Sequence, residues 1–273
     1  VVGIDPAPTK GLAIFDGKYR TIPVREARSF LDDLGKEFPD LLVCWDAPLT
    51  GPASGVLRGG SPTVSSFSQR PIESFFRKSV GFKTPKGISV LGYSGCSHWA
   101  LSRFLIGLPR TGPFDRDDLP FTLASEDRSR PSVGRHVVEV HPAVALWLWC
   151  KDLRPAEAPW DYKQNPEVRQ ELWNLVVQNR EVARYLASDS ATPPSSDDEL
   201  DARAAYTLGQ LWLDESSSVV LLGDIDHGSF LVPRADGLEA AFQRFVNGSP
   251  QRRREPTRPR PTGSGSEVDC EQR

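Results

Sequence analysis

The chain has 273 residues, a length for one large domain or two small ones. Hydrophobic residues make up 38% and charged residues 25%, enough for a core inside a water-compatible surface. The net charge of −3 excludes a global basic field for nucleic acid and leaves room only for a local basic groove. Four cysteines (Cys44, Cys96, Cys150, Cys270) stand far apart with no CxxC pair. This argues against a zinc knuckle or a disulfide framework and favours a reducing, cytoplasmic setting. No signal peptide is legible, and the longest apolar run, AVALWLWC at 143–150, soon meets Lys151 and Asp152 and is too short to span a membrane.

In chain order, Val1–Asp5 and Gly11–Phe15 read as strands joined by the turn Pro6–Lys10. Asp16-Gly17 is a hairpin signal leading into a third strand, Tyr19–Val24, so the three form an antiparallel meander. Arg25–Lys36 carries Ala27, Phe30, Leu31 and Leu34 at helical spacing. LLVCWD at 41–46 is a dense apolar run that ends in an aspartate, the pattern of a fully buried parallel strand. The stretch at about 50–135 reads as an insertion of Gly/Ser/Pro loops with helices at Ile72–Ser79 and Ser97–Ile106. HVVEVHP at 136–142 is a further strand, and Pro142 starts a helix, where a first-turn proline loses no intrahelical bond. Asn165-Pro166 opens a long helix to about Ala187, and the capping box Ser196–Glu199 opens another to about Leu213. Val219–Leu222 and Gly228–Val232 are late strands. These elements make one α/β domain over 1–247, followed by an Arg/Pro/Gly/Ser-rich tail at 248–273 that reads as disordered.

Acids recur at the ends of these elements. Asp5 ends the first strand, Asp46 ends LLVCWD, Glu139 lies in HVVEVHP, and Asp198 and Asp201 lie at a helix start. By strand alternation Asp5 shares a face with Gly3, and Asp46 with Cys44. Both acids stand at carboxyl edges, where open α/β sheets bind ligands. On the helix, Asp198, Asp201, Ala204, Ala205 and Leu208 form one stripe, whose alanines allow close approach to the sheet. Converging carboxylates repel one another, and Mg²⁺ or Mn²⁺ relieves that repulsion with oxygen ligands. Two such ions support phosphodiester cleavage. Each acid also has a plainer reading: Asp5 and Asp46 as turn residues, Glu139 facing solvent, and Asp197 and Asp198 complementing the helix dipole.

Outside the acids, Arg77, Lys78, Lys83 and Lys86 are interleaved with Phe75, Phe76 and Phe82, a combination that can hold a phosphate backbone and stack bases, or can be one solvated helix face. Arg128, Arg130 and Arg135 form a looser basic group. His141 either shares the face of Glu139 or caps the next helix, and His98 beside Trp99 reads as packing.

The order of elements and the segments VVGID, DAPLTG, VVEVHPAVAL, DYKQNPEVRQELW, DDELDARAAYTLG and GDIDHGSFLVP together resemble the domain of unknown function family 429, described as predicted nucleases of RNase H-like fold. These segments span about residues 1–235. The resemblance implies an RNase H-like mixed sheet flanked by helices. It places Asp5, Asp46, Glu139 and Asp201 at the acidic metal positions, with Asp198 as an alternate and Lys163 facing the site and a scissile phosphate. Pro6, directly after Asp5, departs from the wider fold's small residue and removes a backbone N–H. The expectation is a metal-dependent nuclease acting on DNA or RNA. The competing readings are an ATP-handling enzyme of the actin and sugar-kinase type, which needs two such halves, and a non-catalytic module that binds nucleic acid or protein. A methyltransferase reading of DAPL lacks a glycine-rich cofactor loop.

Overall fold

In the computed structural model of the chain, residues 1–7, 10–50, 70–90, 121–124, 133–186, 192–224 and 227–248 are described. The expected helix Ser97–Ile106, His98, Trp99, Arg128, Arg130 and the tail beyond Gly248 lie outside them.

Strands β1 (Val2–Ala7), β2 (Gly11–Phe15) and β3 (Tyr19–Ile22) form the antiparallel meander. After helix α1 (Val24–Glu37), strand β4 (Leu41–Trp45) returns parallel to β1. Beyond helix α2 (Pro71–Lys78) come β5 (Thr122–Leu123) and β6 (Arg135–Glu139), and β6 pairs parallel with both β4 and β5. The sheet order is β3-β2-β1-β4-β6-β5, so the molecule is an α/β protein with a mixed six-stranded sheet. Helices α3 (Pro142–Cys150), α4 (Pro166–Val176), α5 (Arg180–Leu186) and α6 (Asp197–Leu213) follow, then the hairpin β7 (Val219–Asp224) and β8 (Gly228–Pro233), and α7 (Leu238–Gly248). No helix among the described residues is long and apolar enough to cross a membrane.

The sheet buries both faces. On one, α1 sets Ala27, Leu31 and Leu34 against Val2, Ile4, Val43 and Trp45. On the other, α3 and α6 cover Leu42, Cys44, Val138 and Val140. Helix α3 is apolar all round, and accordingly it is buried on nearly every side.

Three local details differ from the sequence expectations. Strand β1 continues through Pro6, which pairs with Leu12 of β2. The β1–β4 pairing stops at Ile4 and Trp45, so the N–H that proline lacks has no ladder partner to lose. The single long helix expected from Asn165 is two helices, because Asn179 turns its side chain to the N–H groups of Glu181 and Val182 and starts a new helix. The capping box is displaced by one residue: Ser196 accepts from the Glu199 N–H at 3.0 Å, while the Glu199 carboxylate reaches the Ser195 N–H at 2.8 Å.

Candidate metal centre

The register of β1 on β4 pairs Gly3 with Cys44 and Ile4 with Trp45, which makes Asp5 and Asp46 the next neighbours along the two strands. Helix α6 crosses this edge at unusually short range. A Cβ on Gly3 would lie 2.2 Å from the Ala202 carbonyl oxygen and 2.4 Å from the Tyr206 nitrogen. A Cβ on Gly209 would lie 2.5 Å from the Cys44 Sγ. The close approach that the sequence suggested through the alanine stripe therefore rests on two glycines as well, one on the strand and one on the helix. The helix delivers Asp201 to the strand ends, and one carboxylate oxygen each of Asp5, Asp46 and Asp201 lie within 4.8 Å of one another.

Asp46 and Asp201 are buried and Asp5 is partly so. Burial, together with the charges of Asp46 and Asp201, pushes the Asp5 carboxyl well above its usual range. Burial also raises Asp201, against the pull of Lys163 and Tyr162. Three hard oxygen donors with surplus negative charge fit a divalent cation such as Mg²⁺ or Mn²⁺.

The segment before α4 supplies two partners. The Tyr162 hydroxyl donates to Asp201 Oδ1 at 2.6 Å, and Lys163 Nζ lies 3.0 Å from Asp201 Oδ2. The segment is held by Arg169, whose guanidinium donates to the Tyr162 carbonyl at 3.0 Å, and by the cap Asn165, which receives the N–H groups of Glu167 and Val168. Asp201, then Asp46 and Asp5, raise the Lys163 ammonium's pKa, so it stays charged. Burial and Asp201 raise that of the Tyr162 phenol, so it stays a donor. The sequence alone does not mark the role of Tyr162. Its place beside Lys163 in DYK was the available signal, but a tyrosine that packs and one that orients a carboxylate look alike there. Asp198 stands at the rim, 3.2 Å from Lys10 in an exposed ion pair.

Glu139 does not join the three aspartates, which corrects its expected place as a metal ligand. It pairs with Trp45, one position short of Asp46, so alternation turns it to the opposite face. There its Oε2 accepts from the N–H groups of Leu49 and Thr50 at 2.8 and 3.0 Å and from the Thr50 hydroxyl at 2.8 Å. Arg70 completes the arrangement, bonding Glu139 through two nitrogens at 2.7 and 3.1 Å, while also gripping Glu73 and donating to the Thr50 carbonyl. Arg70 and Glu139 are fully buried, so this is an internal ionic clasp joining β6, α2 and the chain after β4.

His141 is buried beside Phe230 at the head of α3 and does not cap that helix with its side chain. Burial, helped by Lys163 and Arg70, pushes its imidazole down to about 3. Arg77, Lys78, Lys83 and Lys86 are all exposed, as one basic edge of α2 and its following loop. The interleaved aromatics are not base platforms: Phe75 and Phe76 are buried, and Phe82 stacks on Phe75. The basic loop does reach the site's neighbourhood. A Cβ on Gly87 would lie 3.0–3.3 Å from the Trp160–Asp161 backbone, directly before Tyr162 and Lys163.

Fold and site together define an α/β protein with a cluster of three aspartates, two of them buried, at the carboxyl edge of a mixed sheet. Residues 121–224 match the model of the family described as Protein of unknown function (DUF429), so the resemblance to family 429 holds over this stretch. It contains Glu139, Tyr162, Lys163, Asp198 and Asp201, while Asp5 and Asp46 lie before it. No curated protein and no solved structure matches the chain.

Proposed function

We propose that the chain is an RNase H-like, metal-dependent nuclease that hydrolyses phosphodiester bonds of DNA or RNA at Asp5, Asp46 and Asp201. The observation that carries this reading is the convergence of the three carboxylates from β1, β4 and α6 within 4.8 Å. The meander followed by parallel strands, in the order β3-β2-β1-β4, supports the RNase H-like part of it.

A bound Mg²⁺ or Mn²⁺ supplies Lewis acidity, favouring hydroxide at neutral pH and countering charge on the departing oxygen. The chain's own residues do the rest. Asp5 and Asp46 offer oxygens from neighbouring strand ends, where backbone pairing restricts their movement. Tyr162 and Lys163 hold Asp201 in place through one oxygen each. Lys163 keeps half of its side-chain surface open to solvent, so its ammonium can meet a phosphate while bound to Asp201. Arg77, Lys78, Lys83 and Lys86 provide the sequence-independent attraction for a phosphate backbone.

The test is cleavage of labelled single- and double-stranded DNA and RNA with Mg²⁺, Mn²⁺ or EDTA, with Asp5→Asn beside the wild type. Metal-dependent cleavage that disappears in the variant is expected. Absence of both cleavage and Mn²⁺ binding in the wild type overturns the reading.

A further inference from the structure

We propose that Lys83 and Lys86 hold backbone phosphates beyond the scissile one, so that the substrate is a nucleic-acid strand several nucleotides long and not a small phosphodiester. This rests on the nuclease reading above and specifies the length of its substrate.

The stretch Arg77–Lys86 holds four cations and no acid in ten residues. All four are exposed, and none makes an ion pair among the described residues. Several other surface cations, by contrast, have close acid partners: Lys10 pairs with Asp198, Arg20 with Asp16, Lys36 with Asp33 and Arg184 with Asp214. An uncompensated positive stretch in a chain of net charge −3 attracts a polyanion. The backbone beneath it is fixed. Thr84 is buried, and both its N–H and its hydroxyl donate to the Phe76 carbonyl, at 2.7 and 3.0 Å. Phe82 stacks on Phe75, while Ile88 and Val90 enter the core cluster that contains Trp160 and Tyr162. Phe75 and Phe76 are buried, so contact falls on the nucleic-acid backbone and carries no base preference.

The same packing brings this surface to the aspartates. Gly87 has a φ of +107°, and a Cβ there would lie 3.0 Å from the Trp160 carbonyl carbon and 3.1 Å from the Asp161 nitrogen. Lys86 is one residue before Gly87, and Lys163 is two residues after Asp161, each step about 3.8 Å between Cα atoms. Lys163 Nζ in turn lies 3.0 Å from Asp201 Oδ2. A nucleic-acid strand rises about 3.4 Å per nucleotide, so one whose scissile phosphate meets Lys163 carries its next phosphates past Lys86 and Lys83. A small phosphodiester has no further charge to place there.

The experiment is steady-state cleavage by the full chain with Mn²⁺ of three substrates: bis(p-nitrophenyl) phosphate, a dinucleotide, and a strand of about 12 nucleotides, long enough to pass the four bases. For the wild type, KM is expected to fall by about tenfold from the dinucleotide to the longer strand, two exposed charge contacts of roughly threefold each. The double variant Lys83→Glu, Lys86→Glu is expected to lose that advantage through KM and not through kcat, as removal of uniform binding requires. Lys18→Glu changes charge in the same direction at the exposed β2–β3 turn, the end of the meander away from Asp5, and is expected to keep it. Equal KM values for dinucleotide and longer strand in the wild type overturn this inference and leave the nuclease reading intact. A length advantage that survives in the folded double variant, or that is lost equally in Lys18→Glu, also overturns it. Hydrolysis of bis(p-nitrophenyl) phosphate without cleavage of either nucleic acid overturns it and restricts the site to small phosphodiesters. No hydrolysis of any substrate overturns both.

Discussion

Glu139 and Asp46 sit one register step apart on adjacent parallel strands and point to opposite faces of the sheet. That single step separates a buried ionic clasp from a cluster of repelling acids. Asp46 belongs to the group that fits a cation, and Glu139 belongs to Arg70.

Glu139→Ala is therefore expected to act on stability and not on metal binding. It leaves the buried Leu49 and Thr50 N–H groups and the Thr50 hydroxyl without their acceptor, at about 1–3 kcal/mol for each buried group left unpaired, while Glu73 still balances the charge of Arg70. Urea unfolding at pH 7 checks the loss. Mn²⁺ stoichiometry measured on the fraction that remains folded should be unchanged, and a folded variant that has lost its metal would restore Glu139 to the ligand set.

Asp5→Asn should raise the melting temperature of the metal-free protein at pH 7. The wild-type carboxyl is held above its usual range, so its ionised form destabilises the folded state and an amide relieves the repulsion. Each kcal/mol relieved is worth about 2–4 °C in a chain of this size. With excess Mn²⁺ the order should reverse, because ligand binding stabilises only the protein that holds the ion. A melt in which Asp5→Asn is less stable than wild type without metal contradicts the assignment of surplus charge.

Tyr162→Phe keeps the ring and deletes the donor to Asp201. A hydrogen bond to a charged group is worth about 1.5–3 kcal/mol, and the fold should lose about that much. If cleavage is observed for wild type, its rate should fall further than stability explains, since Asp201 is then held by Lys163 alone. Comparing kcat at a temperature where both proteins are folded separates the two effects.

His141 sets an acid limit. Its folded pKa lies at about 3, below the ordinary value of 6.5, so the unfolded chain binds the extra proton between those values. Stability should be fully present above about pH 6.5 and decline as pH falls towards 3, with a total of a few kcal/mol at stake. Denaturant unfolding at pH 7, 5 and 4 in wild type and His141→Gln measures this, and equal slopes in the two proteins would show that the imidazole plays no part in the acid loss.

The four exposed bases give a prediction that leaves the fold alone. Replacing Arg77, Lys78, Lys83 and Lys86 by Ala should move stability by about 0.5 kcal/mol or less per site. Binding to nucleic acid should weaken across all sequences, and its salt dependence should become shallower by roughly one counterion for each phosphate no longer neutralised. An unchanged salt slope places the nucleic-acid surface elsewhere on the molecule.

Much of this architecture was legible in the chain. Asp16-Gly17 announces the hairpin, LLVCW the buried central strand, Pro142 and Ser196 the helix starts, because these signals act over a few residues and depend on backbone chemistry alone. The acids at strand and helix ends were visible for the same reason. Which acids meet was a different kind of question. Glu139 and Asp46 look equivalent in sequence, and only the pairing of Trp45 with Glu139 assigns them to opposite faces. Gly3 and Gly209 carry no mark of their role until a helix lies against them. Phe75 and Phe76 with their basic neighbours read either as a surface that stacks bases or as a helix with one solvated face, until the core encloses both rings. Local propensity determines which elements form, whereas register and close packing, set by contacts between residues far apart in the chain, decide what those elements bring together.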